Sequence, residues 1–212
     1  DSDEQAIVAL DKQGTLIRCL PRFILECNAQ RIPASETWGN PTRISLWQRR
    51  LYVMDTGVGQ LWRYEPSGLN YGSVPTEYFV GATRPNLKQA VDFEINDDGF
   101  VYVLGANGVM SAYYGGDPQA FGFVDFPQNE SLTDIGAQTM YLNDSPINPA
   151  FYFVNQSTRT IYESTRAGTF MGRYRVFDED KFAQINDVVI EPGQGILYAA
   201  SGNAIFAIRL AE

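Results

Sequence analysis

The 212 residues are 44% hydrophobic, enough to bury a sizeable core in one domain or at most two. Against 25 acidic residues stand 16 Lys and Arg, a net charge of −9, so the basic clusters that a nucleic-acid partner needs are not expected. No stretch of about 18 apolar residues occurs, which excludes a membrane-spanning helix from the reading, while 13% aromatics with 19 Gly and 11 Pro favour strands joined by turns.

The chain opens at Asp1 with neither an initiator Met nor a signal-like segment, which fits a processed product or an excised domain. Ala6–Leu10, a turn at Asp11–Gly14 and Thr15–Arg18 read as a pair of short strands. Cys19 and Cys27 are the two cysteines, too few ligands for a zinc site. Their spacing suits a small disulfide loop, with two buried free thiols as the alternative.

From Asn40 onward one pattern recurs. Leu51-Tyr52-Val53, Val101-Tyr102-Val103, Phe151-Tyr152-Phe153 and Leu197-Tyr198-Ala199 follow one another at about 50 residues, a period typical of radial β-sheet repeats. Before each lies an apolar segment (Arg43–Leu46, Ala90–Phe93, Gln138–Tyr141, Asp187–Ile190) and then a polar turn such as Asn96–Gly99 or Glu191–Gly195. A second tight turn follows each tyrosine strand, at Asp55–Gly57, Gly105–Gly108, Asn155–Ser157 and Ser201–Asn203. The third strands are Leu61–Tyr64, Met110–Tyr113, Ile161–Ser164 and Ile205–Ile208. A more polar fourth strand is expected at Glu77–Val80, Gly122–Asp125 and Arg173–Val176.

Four antiparallel strands, apolar inside and polar at the rim, make a propeller blade. The expected fold is an all-β β-propeller of four-stranded antiparallel blades, about four to five in this chain and about six in an intact protein. It reads as a single domain over 1–212, with a partial first blade at 1–20 and successive blades at 40–82, 88–127, 134–177 and 184–210. A β-sandwich would not require so regular a repeat. The last repeat stops after its third strand at Leu210, and the N-terminal pair lacks two strands. Either sequence precedes Asp1, or residues 22–38 complete an irregular blade.

Asn40-Pro41-Thr42, Leu51–Gly57 and Gln60–Gly68 together resemble an NHL-type propeller blade. With Ala90-Val91-Asp92, Gly115–Pro118 and Ser201–Phe206, the stretch from Asn40 to Leu210 looks like the C-terminal propeller of uncharacterised proteins from filamentous green non-sulfur bacteria. The resemblance implies a propeller without an assigned activity. Some such relatives are fused to phosphatase-like or membrane-anchored regions, which implies an extracytoplasmic module.

Histidine is absent, which removes the commonest general base and the commonest transition-metal ligand. A Ser-His-Asp triad and a Cys-His pair are thereby excluded within these residues. Lys12, Lys88 and Lys181 sit in turn or linker contexts without a nucleophile motif, and Gly105–Gly108 joins two strands rather than opening a phosphate-binding helix. One constellation remains. Asn186-Asp187-Val188 ahead of a turn and a Leu-Tyr strand resembles the SMP-30-like lactonases, propellers with a divalent cation in the central channel. Under that resemblance Asp92, Glu94, Asn186 and Asp187 are the candidate oxygen ligands. The glutamate such hydrolases carry early in the first blade has no counterpart here, and Asn and Asp also open strands and cap turns.

Trp38, Trp47, Trp62 and Tyr113-Tyr114 could line a binding rim, but Trp62 and Tyr64 alternate on one face and read as packing between blades. Sequons occur at Asn129, Asn143 and Asn155. The function expected is a non-enzymatic, extracytoplasmic binding or assembly module with protein partners and no cofactor. The alternative is a metal-dependent lactonase or related hydrolase.

Overall fold

The computed structural model describes strand backbones at 7–10 and 16–20 and, in full, residues 38–66, 71, 73–81, 84–127, 137, 139–175, 184–191 and 193–210. Apart from one short 3-10 turn at Leu87–Gln89, the regular structure among them is all β. Two compact units divide the chain at Lys88 and Gln89.

The first unit holds a hairpin, β1 (Ile7–Leu10) and β2 (Leu16–Leu20), which pairs Val8 with Cys19. It also holds a complete blade, β3 (Pro41–Trp47), β4 (Arg50–Asp55), β5 (Gln60–Tyr64) and β6 (Thr76–Glu77), an antiparallel meander in that order. Gln48 and Arg49, both at positive φ (46° and 65°), form the two-residue turn whose twist matches the flanking strands. At the next turn the buried Asp55 carboxylate accepts from the amides of Gly39 (2.8 Å), Asn40 (2.7 Å), Gly57 (3.0 Å) and Val58 (3.3 Å). A side chain at Gly57 would bring a Cβ to 2.6 Å from the Asn40 nitrogen, so glycine is required where these backbones meet. Leu51, Val53, Trp62 and Tyr64 form the apolar face of this blade, with Trp38 set edge-on against Tyr64.

The second unit contains three blades. The first is β7 (Ala90–Ile95), β8 (Phe100–Gly105), β9 (Met110–Tyr114) and β10 (Asp117–Gln119). The next is β11 (Thr139–Asn143), β12 (Ala150–Asn155), β13 (Thr160–Thr165) and β14 (Phe170–Arg175). The last, β15 (Ile185–Glu191), β16 (Ile196–Ser201) and β17 (Ala204–Arg209), has three strands, as the sequence indicated. Within this unit the first strands β7, β11 and β15 pack side by side.

Strand β12 shows how blades stack. All six of its residues are buried, because both faces of its sheet are covered. Phe151 and Phe153 point to one side and join Tyr102, Leu104, Met110 and Met140. Ala150, Tyr152 and Val154 point to the other and join Ile185, Val188, Leu197 and Ala199. The alternation of a strand thus becomes a double contact, and the recurring tyrosines supply one half of it.

The outer strands depart from the expected positions. In the first unit the ladder is confined to Thr76–Glu77, with Tyr78 N–H still reaching the Leu61 carbonyl (2.8 Å). In the blade of β7 the outer strand is Asp117–Gln119 rather than Gly122–Asp125, because Gly115 and Gly116 (φ 60° and 93°) turn the chain straight back onto Tyr114. Gly122–Asp125 instead runs beside the β13–β14 turn: Val124 N–H meets the Gly168 carbonyl (3.1 Å) and Val124 C=O accepts from Phe170 (3.0 Å). That path sends Phe121, Phe123 and Phe126 into the aromatic layer against Phe151, Phe153 and Phe170.

Candidate functional site

The four candidate cation ligands all fall in the second unit, two on β7 and two on β15. Asp92 and Asp187 occupy matching places, each immediately after a β-bulge and each opposite the penultimate residue of the next strand, Leu104 or Ala200. A bulge re-aims the side chain that follows it. For Asp92 the result is a bracket between blades: its carboxylate accepts from the Thr139 hydroxyl and from the Met140 amide (2.9 Å) of β11, and from its own neighbour Phe93 (2.9 Å). Thr139 stands at the corresponding place in β11, so the one first strand of this unit without the acid carries the hydroxyl that meets it.

Two residues along the same face, Glu94 accepts from the Leu142 amide. Asp92 and Glu94 therefore cap alternate N–H groups on the edge of β11 that points away from β12. This is a sequence-specific answer to the problem of an unpaired strand edge. Burial, reinforced by the negative charges of Asp92 and Asp187, pushes the Glu94 carboxyl up to about 8. Burial also raises the neighbouring Tyr141 hydroxyl, with Glu94 adding to the effect. Asn186 and Asp187 are exposed; Asn186 Oδ1 accepts from Gln156 Nε2 (3.1 Å), and Asp187 Oδ1 from the Val188 amide (2.8 Å). Among the described residues no group of three or more His, Cys, Asp or Glu side chains is placed to hold a metal ion.

A second feature had no forecast in the sequence. Between the blades of β7 and β11 lies a cleft of about 480 Å³, lined by Phe100, Tyr102, Phe121, Gln119, Ala120 and Arg166 among others. It is shallow and open to solvent. Phe100 and Tyr102 stack at 6.3 Å, and Phe121 stands edge-on to Tyr102 at 5.7 Å. Arg166 comes from the β13–β14 turn and bridges two carboxylates, Asp144 (2.7 Å) and Asp98 (3.2 Å), which belong to the turns of different blades. The Asp97 backbone N–H donates a hydrogen bond to the Asp144 carboxylate at the same corner. The signal available in the sequence was the Gly115-Gly116 pair: by ending the blade early it releases Ala120 and Phe121 to form a wall.

Several other polar groups are engaged locally. Glu163, buried in β13, accepts from Tyr152 (2.9 Å) and Tyr174 (2.6 Å), and burial together with that carboxylate raises both phenols. Asn143 and Asn155 are buried: Asn143 Nδ2 donates to the carbonyls of Ile147 and Asn148, and Asn155 Oδ1 accepts from Ser157 and Thr158. Neither sequon presents its amide for glycosylation in the folded state. Asn129 lies outside the described residues, as does Cys27; Cys19 lies on β2. Trp62 is buried, packed with Leu51, Val53 and Tyr64 of its own blade, whereas Tyr114 is 52% exposed beside its buried neighbour Tyr113.

No protein-family model matches the chain, and no curated protein matches it in sequence. Solved structures do. A streptogramin B lyase structure aligns over 100% of this chain and 64% of its own, at 11% identity and a TM-score of 0.51. A catalytically inactive variant of virginiamycin B lyase from Staphylococcus aureus, with quinupristin, aligns over 100% and 72% at 9% identity and 0.53. A protein of unknown function from Bacteroides caccae aligns over 92% and 64% at 10% identity and 0.52. The chain spans about two thirds of these structures' length, and at such identities the likeness establishes the fold alone: a β-propeller.

Proposed function

We propose that this chain is a non-enzymatic binding module, part of a larger extracytoplasmic protein assembly, that holds its partner in the aromatic cleft beside Arg166. The observation carrying this reading is the contrast between two sites. Asp92 is committed to bonds with Thr139, Met140 and Phe93, while the cleft leaves Phe100 and Phe121 half-buried beside a guanidinium held by two carboxylates. A buried carboxylate already satisfied by three donors is a poor metal ligand, because binding would strip those donors of their acceptor. The extracytoplasmic placement rests on the resemblance to bacterial propellers some of which are fused to membrane-anchored regions.

The test is cross-linking and affinity purification from envelope and cytosolic fractions of the native host, with wild type and an Ala120→Trp variant that fills the cleft. A recurrent envelope partner captured by wild type and lost by the variant is the expected result. Equal recovery with the variant, or no partner for wild type, overturns the reading.

The second reading, an SMP-30-like metal-dependent lactonase, is favoured by one observation: the charges of Asp92 and Asp187 are both felt at Glu94. Stoichiometric divalent metal in the purified protein, with lactone hydrolysis that a chelator abolishes, would establish it.

A further inference from the structure

We propose that the outer face of the β15–β17 sheet is a self-association surface, on which a second copy of this chain stacks about a two-fold axis parallel to the strands. The inference goes beyond the binding-module reading and makes no use of the cleft.

Strand register shows that this face differs from its counterparts. Ile205 lies opposite Ala200, as Met110 lies opposite Leu104 and Ile161 opposite Val154. Met110 is buried with Met140 and Leu142 of the following blade, and Ile161 with Ile185 and Val188 of the blade after that. Ile205 is 77% exposed. In the next row Ala207 lies opposite Tyr198, as Ala112 lies opposite Tyr102 and Glu163 opposite Tyr152. Ala112 and Glu163 are buried, whereas Ala207 is exposed. Val189, the β15 partner of Tyr198, is 44% exposed. A face that stacking covers in the two preceding blades is thus open in the last one.

Charge names the occupant and its orientation. A third row crosses the same face, Glu191, Ile196 and Arg209. The Glu191 carboxylate accepts from Tyr198 (3.0 Å) and Gln194 (2.8 Å), which fixes it on this face with acceptor capacity to spare. Arg209 is exposed at the far side of the row. A two-fold axis parallel to the strands and passing over β16 lays β15 of one copy on β17 of the other, each row on its own counterpart. Glu191 then meets Arg209 twice, Val189 meets Ala207, and Tyr198 and Ile196 meet themselves. Asp187 comes opposite Ile205 at a corner, where its carboxylate stays in water. An axis perpendicular to the strands would instead set Asp187 on Glu191, acid against acid. The face is therefore complementary to itself in one arrangement.

Its size sets the strength. Strands about 4.8 Å apart, with about 3.4 Å for each of the 6 residues of β17, give roughly 300 Å² on each copy. That is below the roughly 800 Å² per partner of a standard interface, so the dimer is weak, half-formed at about 0.1–1 mM.

The experiment is sedimentation equilibrium of the whole chain from about 10 μM to about 2 mM, a range that brackets the expected dissociation constant. Wild type should pass from monomer to dimer. Ile205→Asp, at an exposed position, should stay monomeric with an unchanged circular dichroism spectrum. Arg209→Glu and Glu191→Lys, each alone, should weaken the dimer roughly three- to tenfold at low salt, because like charges then meet. An equimolar mixture of those two variants should associate as wild type does, since acid and base face each other again at both corners. A wild type that remains monomeric throughout overturns the proposal, and so does a dimer that Ile205→Asp leaves intact. If the mixture associates no better than its separate components, the two-fold arrangement is wrong and the proposal falls with it.

Discussion

Replacing Asp92 by Ala is the most informative perturbation of the scaffold. The carboxylate is 5% exposed and serves the Met140 amide, the Thr139 hydroxyl and the Phe93 amide. Its removal leaves two donors of the adjoining blade, Met140 N–H and Thr139 Oγ1–H, in a buried seam. Each unsatisfied buried donor costs about 1–3 kcal/mol, so the loss should be about 2–6 kcal/mol. An Asp92→Asn variant keeps the volume but turns an NH₂ toward a donor, and should lose about 1–3 kcal/mol. Urea unfolding of both variants, and of Thr139→Val alone and combined with Asp92→Ala, provides the assay. The double-mutant cycle should return a coupling of about 1–2 kcal/mol for the Asp92–Thr139 pair. If Asp92→Ala changes stability by less than about 0.5 kcal/mol, within the range of ordinary surface substitutions, the bracket does not hold the blades together.

Further outcomes follow from the same geometry. Because the folded-state pKa of Glu94 lies near 8, above its usual 4.5, the folded protein binds that proton more tightly than the unfolded chain does. Its contribution is intact below about 4.5 and is lost as pH rises through about 8, so wild type should weaken across that window. Glu94→Gln should flatten the dependence and exceed wild type at pH above about 8, by roughly 1–3 kcal/mol in urea melts. Gly57→Ala should destabilise the first unit by about 1–3 kcal/mol, read by thermal unfolding, since its Cβ meets the Gly39–Asn40 backbone. Arg166→Ala leaves Asp144 Oδ1, on a side chain 14% exposed, without its cation, and should cost about 1–2 kcal/mol, a loss that grows less in high salt.

The sequence carried the repeat well because two-sided burial writes itself into a strand. Phe151-Tyr152-Phe153 could not be so uniformly large and apolar unless both faces were covered, and the tyrosines at matching places marked the blades. The outer strands were poorly legible for the opposite reason. Asp117–Gln119 is short, exposed and weakly patterned, whereas Gly122–Asp125 looked like a strand because Phe121 and Phe123 around it alternate toward a core. The Gly115-Gly116 dipeptide decided between them through turn geometry. Site residues divided in the same way. Asp92 and Asp187 stood out as acids at repeated places, and the structure makes them counterparts behind bulges. What the acids touch depends on the neighbouring blade's register, which no local pattern encodes. The cleft was hidden because its walls come from Phe100, Phe121 and Arg166, brought together by blade stacking from three separate stretches of chain.

The contest between a structural and a metal-binding role for the β7 and β15 acids is settled most directly by calorimetric titration of Ca²⁺. It should be run above pH 8, where Glu94 is ionised and a cation has its best chance. The binding-module account predicts no saturable heat for wild type and an identical trace for Glu94→Gln. One-to-one binding of Ca²⁺ by wild type, abolished by Glu94→Gln or Asp187→Asn, would contradict it and move the function from the cleft to the first strands of the blades.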